Sequence, residues 1–212
     1  MQIRSSLLAA CAIAAFSVAT FSIDGAQAFG YRQTAPDPAA GQTSWQAAYN
    51  GEPDLDVGRE YPTTTRQTVT DPTGAAPGTI TIDTGNRYLY LSQGGGSAVR
   101  YDVGVGREGF EWSGSAVIGR KAEWPGWTPP TAMLKRRPDL PRHMPGGIDN
   151  PLGARAMYLY SGNRDTMFRI HGSNEPWTIG EAVSSGCIRM LNADVEDLYS
   201  RVRVGTRVVV LR

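Results

Sequence analysis

Thr79-Ile80-Thr81-Ile82-Asp83, Thr84-Gly85-Asn86, Arg87-Tyr88-Leu89-Tyr90-Leu91: this stretch alternates, turns and alternates again. Side chains in a strand point to opposite faces with a period of two, and Gly-Asn pairs close tight hairpins, so two antiparallel strands are expected here. Gly94-Gly95-Gly96 turns the chain again, and Ala98 to Val105 is expected as a third strand. Downstream, Ala156 to Tyr160 and Thr166 to Ile170 form another hairpin across Ser161-Gly162-Asn163-Arg164-Asp165. One helix follows, with Asn192 as N-cap, Asp194 in the positive first turn and Val195, Leu198, Tyr199 and Val202 on one face. Arg207 to Leu211 closes as a short strand, while residues 106–153, rich in Pro and Gly with Trp112, Trp124 and Trp127, are expected as a long ordered loop, its aromatics either packed singly as core, the reading favoured for each, or forming a lid or groove wall. The expected class is mainly β, a sandwich or barrel-like core with one principal helix.

Upstream of this core the pattern changes. Residues 29–77 hold Ala-Pro-Asp-Pro at 35–38 and Asp-Pro-Thr-Gly at 71–74 with little apolar periodicity, so they are expected as an extended linker, with Trp45, Tyr49 and Tyr61 able to dock part of it. Before it, Arg4 precedes an apolar stretch from Leu7 to Ile23, and Ala26-Gln27-Ala28 is a small-x-small cleavage site. That is the form of a secretory signal cleaved after Ala28, with no permanent membrane span. Leu8-Ala9-Ala10-Cys11 offers a lipobox-like alternative, against which stands the long apolar run that follows it. The expected division is 1–28 signal peptide, 29–77 linker and 78–212 catalytic domain. Apolar residues make up 41% of the 212, enough for one core, and 21 basic against 20 acidic residues with no polybasic run argue against a nucleic-acid partner.

The chain has two cysteines, Cys11 and Cys187, so removal of the signal leaves one thiol. In an oxidising compartment a single thiol is either a small buried hydrophobe or a reactive group. Its surroundings favour reaction: Ile170-His171-Gly172-Ser173-Asn174-Glu175-Pro176-Trp177 is followed by Val183-Ser184-Ser185-Gly186-Cys187-Ile188-Arg189-Met190. A thiol attacks as thiolate, and an adjacent imidazole can take its proton. Of the two histidines, His143 lies in a Pro-rich loop and His171 ends an apolar strand that would hold its ring still, so Cys187 is expected as nucleophile and His171 as general base. Gly172 leaves its carbonyl open to the histidine Nδ1–H. Gly186 permits a tight turn at Ser185-Gly186-Cys187 that would aim N–H groups at an oxyanion, with Ser185 in support. Ser184 and Ser185 fit turn-forming roles better than catalytic ones. Arg189 has two readings: a cation that favours the thiolate or holds a carboxylate, or one arm of a structural salt bridge. Ser173, Asn174 and Trp177 join it as substrate-binding candidates. No His/Cys/Asp cluster has metal-ligand spacing, so no metal or cofactor is expected.

The His-Gly…Ser-x-Gly-Cys-x-Arg pattern at 171–189 resembles the signature of the L,D-transpeptidases with a YkuD-type catalytic domain. The resemblance runs from about Ile80 to the C-terminus and takes in Gly119-Arg120-Lys121, Met144-Pro145-Gly146-Gly147, Asn150-Pro151-Leu152-Gly153 and the Asn192–Tyr199 helix. Where many members carry a second His this chain has Ser185, a common variant. The resemblance implies a periplasmic enzyme acting by two-step acyl transfer. Cys187 would attack the third residue of a peptidoglycan tetrapeptide stem, D-Ala would leave, and an amine would resolve the thioester. The acceptor would be a neighbouring stem, giving a 3→3 cross-link, or a protein such as one of the outer membrane. Carbapenems are expected to acylate Cys187, and water as acceptor would give a carboxypeptidase side activity.

Two rivals remain. Sortases also order His, Cys and Arg, but their Cys follows a Thr-Leu-x-Thr type strand absent here; papain-like enzymes place Cys before His. A non-catalytic wall-binding module predicts loss of Cys187 or His171, and both are present.

Overall fold

The computed structural model describes Tyr61–Arg212; the stretch 1–28 expected as a signal peptide, Cys11, Trp45 and Tyr49 lie outside the described residues. Eleven strands are described: β1 (Gln67–Thr70), β2 (Ile80–Asp83), β3 (Tyr88–Gly94), β4 (Ser97–Asp102), β5 (Val105–Gly106), β6 (Gly114–Glu123), β7 (Arg155–Ser161), β8 (Arg164–His171), β9 (Ala182–Ser184), β10 (Ile188–Arg189) and β11 (Arg207–Leu211). With them come α1 (Thr131–Arg136), a 3₁₀ turn (Pro176–Thr178) and α2 (Asn192–Arg201). Nine strands form one sheet in the order β1-β4-β3-β2-β11-β6-β7-β8-β10, and β5 pairs with β9. The alternation at 79–91 becomes the β2–β3 hairpin, with Ile80 opposite Leu91 and Ile82 opposite Leu89. All four are buried. Burying such a side chain contributes about 1.5–3 kcal/mol, so these pairs set the face of the sheet.

The expected third strand does not run through to Val105. The chain leaves β4 at Val103, and Gly104 exchanges two backbone hydrogen bonds with Arg189 on β10, at 2.9 and 2.8 Å. The chain just beyond β4, next to one edge of the sheet, is thereby paired with β10, the edge strand on the other side. Gly104 is required there because a Cβ would meet the Thr178 carbonyl at 2.5 Å.

Residues 106–153 are not simply a loop. They contain the ten-residue β6, which lies inside the sheet between β11 and β7, and the short helix α1. The β6–β7 register shifts between Ile118 and Arg120, so a bulge at Gly119 breaks the alternation that would mark a strand. Residues 61–77 also differ from a simple linker, because β1 pairs antiparallel with β4. Just before it, Thr65 donates its N–H and hydroxyl to Asp194 at 2.9 and 2.7 Å, and Thr64 hydrogen-bonds the same carboxylate. Asp194 is fully buried at the start of α2, where helix polarity also favours its charge.

Helix α2 packs on β7, burying Val195 and Leu198. Lys121 binds the carbonyls of Tyr199 and Val202 at 2.7 and 2.6 Å, satisfying groups left open at the helix end. Asn192 is the first helical residue rather than the cap, which is Leu191. Its Oδ1 instead accepts the Ala154 N–H at 2.9 Å. This tethers the helix to the strand beside the site.

Candidate active site

The site is built on a parallel pair. Ile188 lies opposite Ile170, and Arg189 opposite His171. Both isoleucines are buried in the core. By alternation, His171 and Arg189 turn to the other face of the sheet. Carried one residue back, this register sets Cys187 beside Arg169. There Sγ lies 4.0 Å from the Met167 carbonyl, within a sulfur hydrogen bond. Cys187 is half-buried. Cys187 directly precedes β10 and Arg169 lies two residues before His171, so the cysteine turn and the imidazole occupy neighbouring positions of the β8–β10 pair. No hydrogen bond joins them among the described residues; such contacts often form only with substrate bound.

His171 is 5% exposed, and its Nδ1 lies 2.6 Å from the Gly172 carbonyl. A carbonyl only accepts, so Nδ1 carries the proton and Nε2 keeps the lone pair. Burial, aided by the charges of Arg189 and Arg169, pushes the imidazole pKa down to about 3; the Gly172 carbonyl opposes this. The ring is a neutral base across the physiological range. Burial likewise pushes the Cys187 thiol up, against the Arg169 N–H and the charges of Arg169 and Arg189, which pull it down. Both shifts favour the uncharged forms, thiol and imidazole, over the ion pair that the residue types alone suggest.

The turn carrying Cys187 is clamped by Ser184. Its Oγ accepts the Gly186 N–H at 3.0 Å and donates to the Cys187 carbonyl at 2.6 Å. Gly186 adopts φ +105°, and a Cβ there would meet Phe168 Cε1 at 2.6 Å. Its carbonyl accepts from Trp112 Nε1 at 3.0 Å, and the Trp112 ring stacks on Phe168 at 4.5 Å and 9°. Gly186 therefore shapes the turn, and its N–H is already spent on Ser184. The N–H groups of Ser185 and Cys187 have no hydrogen-bond partner among the described residues and are the donors an oxyanion could use. Ser185 is exposed at the rim.

Gly172 fits between α2 and the loop before β7: a Cβ would collide with Asn192 Oδ1 and crowd the Ala154 nitrogen at 3.1 Å. Arg189 takes the salt-bridge reading, donating to Glu175 at 2.6 Å and to Thr178 Oγ1 at 3.3 Å. Ser173 is buried, and its hydroxyl accepts the Glu175 N–H at 2.9 Å, so it shapes the loop rather than facing a ligand. Asn174 is exposed and ties that loop to the Asp149 carbonyl at 3.0 Å. Trp177 is 47% exposed, 6.4 Å from the Tyr61 ring. His143 sits on the surface with Thr128, 3.2 Å away. Trp112 is buried as an anchor of the cysteine turn, whereas Trp124 is 44% exposed and Trp127 bridges to Met144. Sequence reasoning does not reach Glu175, Phe168 or Arg169: Glu175 pairs with Arg189 14 positions away, a contact no local pattern announces.

Comparison with known proteins agrees with this architecture. Residues 77–210 match the YkuD family model, described as the L,D-transpeptidase catalytic domain. The chain is 36% identical over 131 residues to the probable L,D-transpeptidase ErfK/SrfK of Escherichia coli K12, covering 59% of this chain and 41% of that one. It spans about two fifths of the length of such curated relatives. A crystal structure from Brucella melitensis, described as a probable carnitine operon oxidoreductase, is 51% identical and covers 71% of this chain and 95% of that one, with a TM-score of 0.49. The carbamoyl enzyme of Ldtfm with avibactam is 19% identical, covering 65% and 50% of the two chains with a TM-score of 0.50, and shares the fold. A family match over most of the described residues, on a mainly β fold that brings the Cys187 turn beside the strand ending in His171, leads to one conclusion: this chain belongs to the L,D-transpeptidase family with a YkuD-type catalytic domain.

Proposed function

We propose that this protein is an exported, periplasmic L,D-transpeptidase that uses Cys187 as nucleophile and His171 as general base on peptidoglycan tetrapeptide stems. The observation that carries the reading is the β8–β10 pair: it brings the cysteine turn beside the strand that ends in His171, whose Gly172 contact leaves Nε2 as the basic nitrogen. Cys187 loses its proton to Nε2 as Sγ attacks the carbonyl of the third stem residue, an L-centre. The Ser185 and Cys187 N–H groups receive the oxyanion. The bond to D-Ala breaks, His171 returns the proton to the departing amine, and a thioester remains. An acceptor amine, on a second stem or on an outer-membrane protein, then attacks that thioester and frees the thiol; water in its place gives L,D-carboxypeptidase activity. Neutral imidazole and protonated thiol suit this concerted transfer. If Cys187 forms a thioester with a stem, a β-lactam carbonyl of the carbapenem class should acylate the same sulfur.

The test is incubation of the mature protein with tetrapeptide muropeptides, followed by mass analysis. D-Ala release with 3→3 dimers supports the reading, and full turnover by Cys187→Ala would overturn it. Export is checked separately: N-terminal sequencing of protein recovered from the periplasm should begin at Phe29.

A further inference from the structure

The bulge in β8 opposite Cys187 is built by specific side chains. Tyr158 on β7 pairs with Arg169, and Tyr160 pairs with Asp165, so three residues of β8 answer one of β7. Met167, in the middle, has φ +66° and is 65% exposed, a left-handed conformation that a non-glycine side chain resists. Something has to hold it. Asp165 Oδ1 accepts the Met167 N–H at 2.8 Å, and the Arg169 guanidinium grips both Asp165 oxygens at 2.7 and 2.9 Å. Arg169 also donates to the Phe168 carbonyl at 2.9 Å and lies over the Tyr158 ring, 4.4 Å from its centroid. The other side of this cross-strand row is Arg120, 3.7 Å from the same ring. The outcome of the bulge is that Cys187 Sγ faces an acceptor, the Met167 carbonyl, and a donor, the Arg169 N–H.

We propose that the Asp165–Arg169 pair across the β8 bulge is the positioning device of the nucleophile, holding Sγ between the Met167 carbonyl and the Arg169 N–H with the guanidinium charge close by. The carbonyl accepts from the resting S–H, and the N–H and the guanidinium receive the thiolate as His171 takes the proton. Arg169 is a positioning residue, since it acts through Cys187 and not on the substrate. The proposal rests on Cys187 being the reactive group. The charged and titratable groups around Sγ are Arg169 and Asp165 from β8, Arg189 from β10 with its partner Glu175, and neutral His171.

The pair contributes opposite signs at the sulfur, which separates positioning by charge from mere support of the fold. The experiment is the pH profile of Cys187 alkylation by iodoacetamide in the full chain, read by mass. It needs no wall substrate, so it stands or falls apart from the transpeptidase reading. Arg169→Gln should raise the midpoint by about one pH unit, and Asp165→Asn, which keeps the acceptor for the Met167 N–H, should lower it. Arg169→Lys keeps the charge and should stay near wild type. Shifts of the same sign in Arg169→Gln and Asp165→Asn, or no shift in either, overturn the proposal. Should Arg169→Gln not fold, a downward shift in Asp165→Asn supports the proposal, and an upward or absent shift overturns it.

Discussion

Trp112 and Gly186 stand 74 positions apart in the chain, yet the indole N–H donates to the Gly186 carbonyl at 3.0 Å in a buried contact. The loop after β5 thereby holds the turn that carries Cys187, and the stack on Phe168 fixes the indole plane. Trp112→Phe keeps an aromatic ring there but leaves the carbonyl unpaired. The expected cost is about 1–2 kcal/mol of stability in urea unfolding. A slower alkylation of Cys187 should accompany it, because the turn loses one of its two clamps. Unchanged stability and unchanged thiol reactivity together would show the contact to be incidental.

Acid should weaken the fold through His171. In the folded chain its pKa is about 3, against an ordinary value of 6.5 when unfolded. Below pH 6.5 the unfolded chain binds a proton that the folded chain refuses, so stability falls as the pH drops from about 6.5 towards 3. The slope approaches ~1.4 kcal/mol per pH unit within that window. Asp197, held down to about 2 by Arg201, Tyr101 and Arg66 against its own desolvation, acts only at lower pH. Unfolding measured between pH 7 and 4 should therefore show the loss in wild type and little of it in His171→Gln.

The ion pair of Arg189 with Glu175 is largely enclosed, with the two side chains 12% and 16% exposed. Glu175→Gln strands the guanidinium and should cost about 3 kcal/mol. Removing both charges with Arg189→Met should recover part of that loss, a coupling visible in a double-mutant cycle by thermal or urea unfolding. Additive losses would show that the two charges do not stabilise one another.

Thr65 lies before the region matched by the family model, which begins at residue 77. Its hydroxyl nevertheless donates to Asp194 and accepts the Asp102 N–H at 2.9 Å. Thr65→Val keeps the shape and removes both contacts. A loss of about 1–3 kcal/mol in urea unfolding is expected, since a buried carboxylate gives up a donor. A neutral result would mean that the Thr65 N–H and Thr64 suffice to hold Asp194.

How much of this was legible in the sequence depended on how local the signal was. The β2–β3 hairpin is readable because Ile80, Ile82, Leu89 and Leu91 keep a period of two with a Gly-Asn turn between them. The Nδ1 contact of His171 is readable because its partner is the next residue. Strand β6 is not, since the bulge at Gly119 shifts the phase just where Ala116 and Ile118 establish it. The Asp165–Arg169 clamp escapes for a related reason: residues four apart do not touch along a regular strand, and only the bulge folds them together. Asn192 has the composition of a helix cap, but the Ala154 N–H claimed its oxygen.

Strand β11 lies between β2 and β6 and pairs with both, so it sits in the middle of the nine-stranded sheet. It is the seam between the β1–β4–β3–β2 half and the half bearing the thiol; without it the Gly104–Arg189 contact would be left to join them. Weakening Arg207–Leu211 would therefore open the sheet at its centre rather than fray an edge.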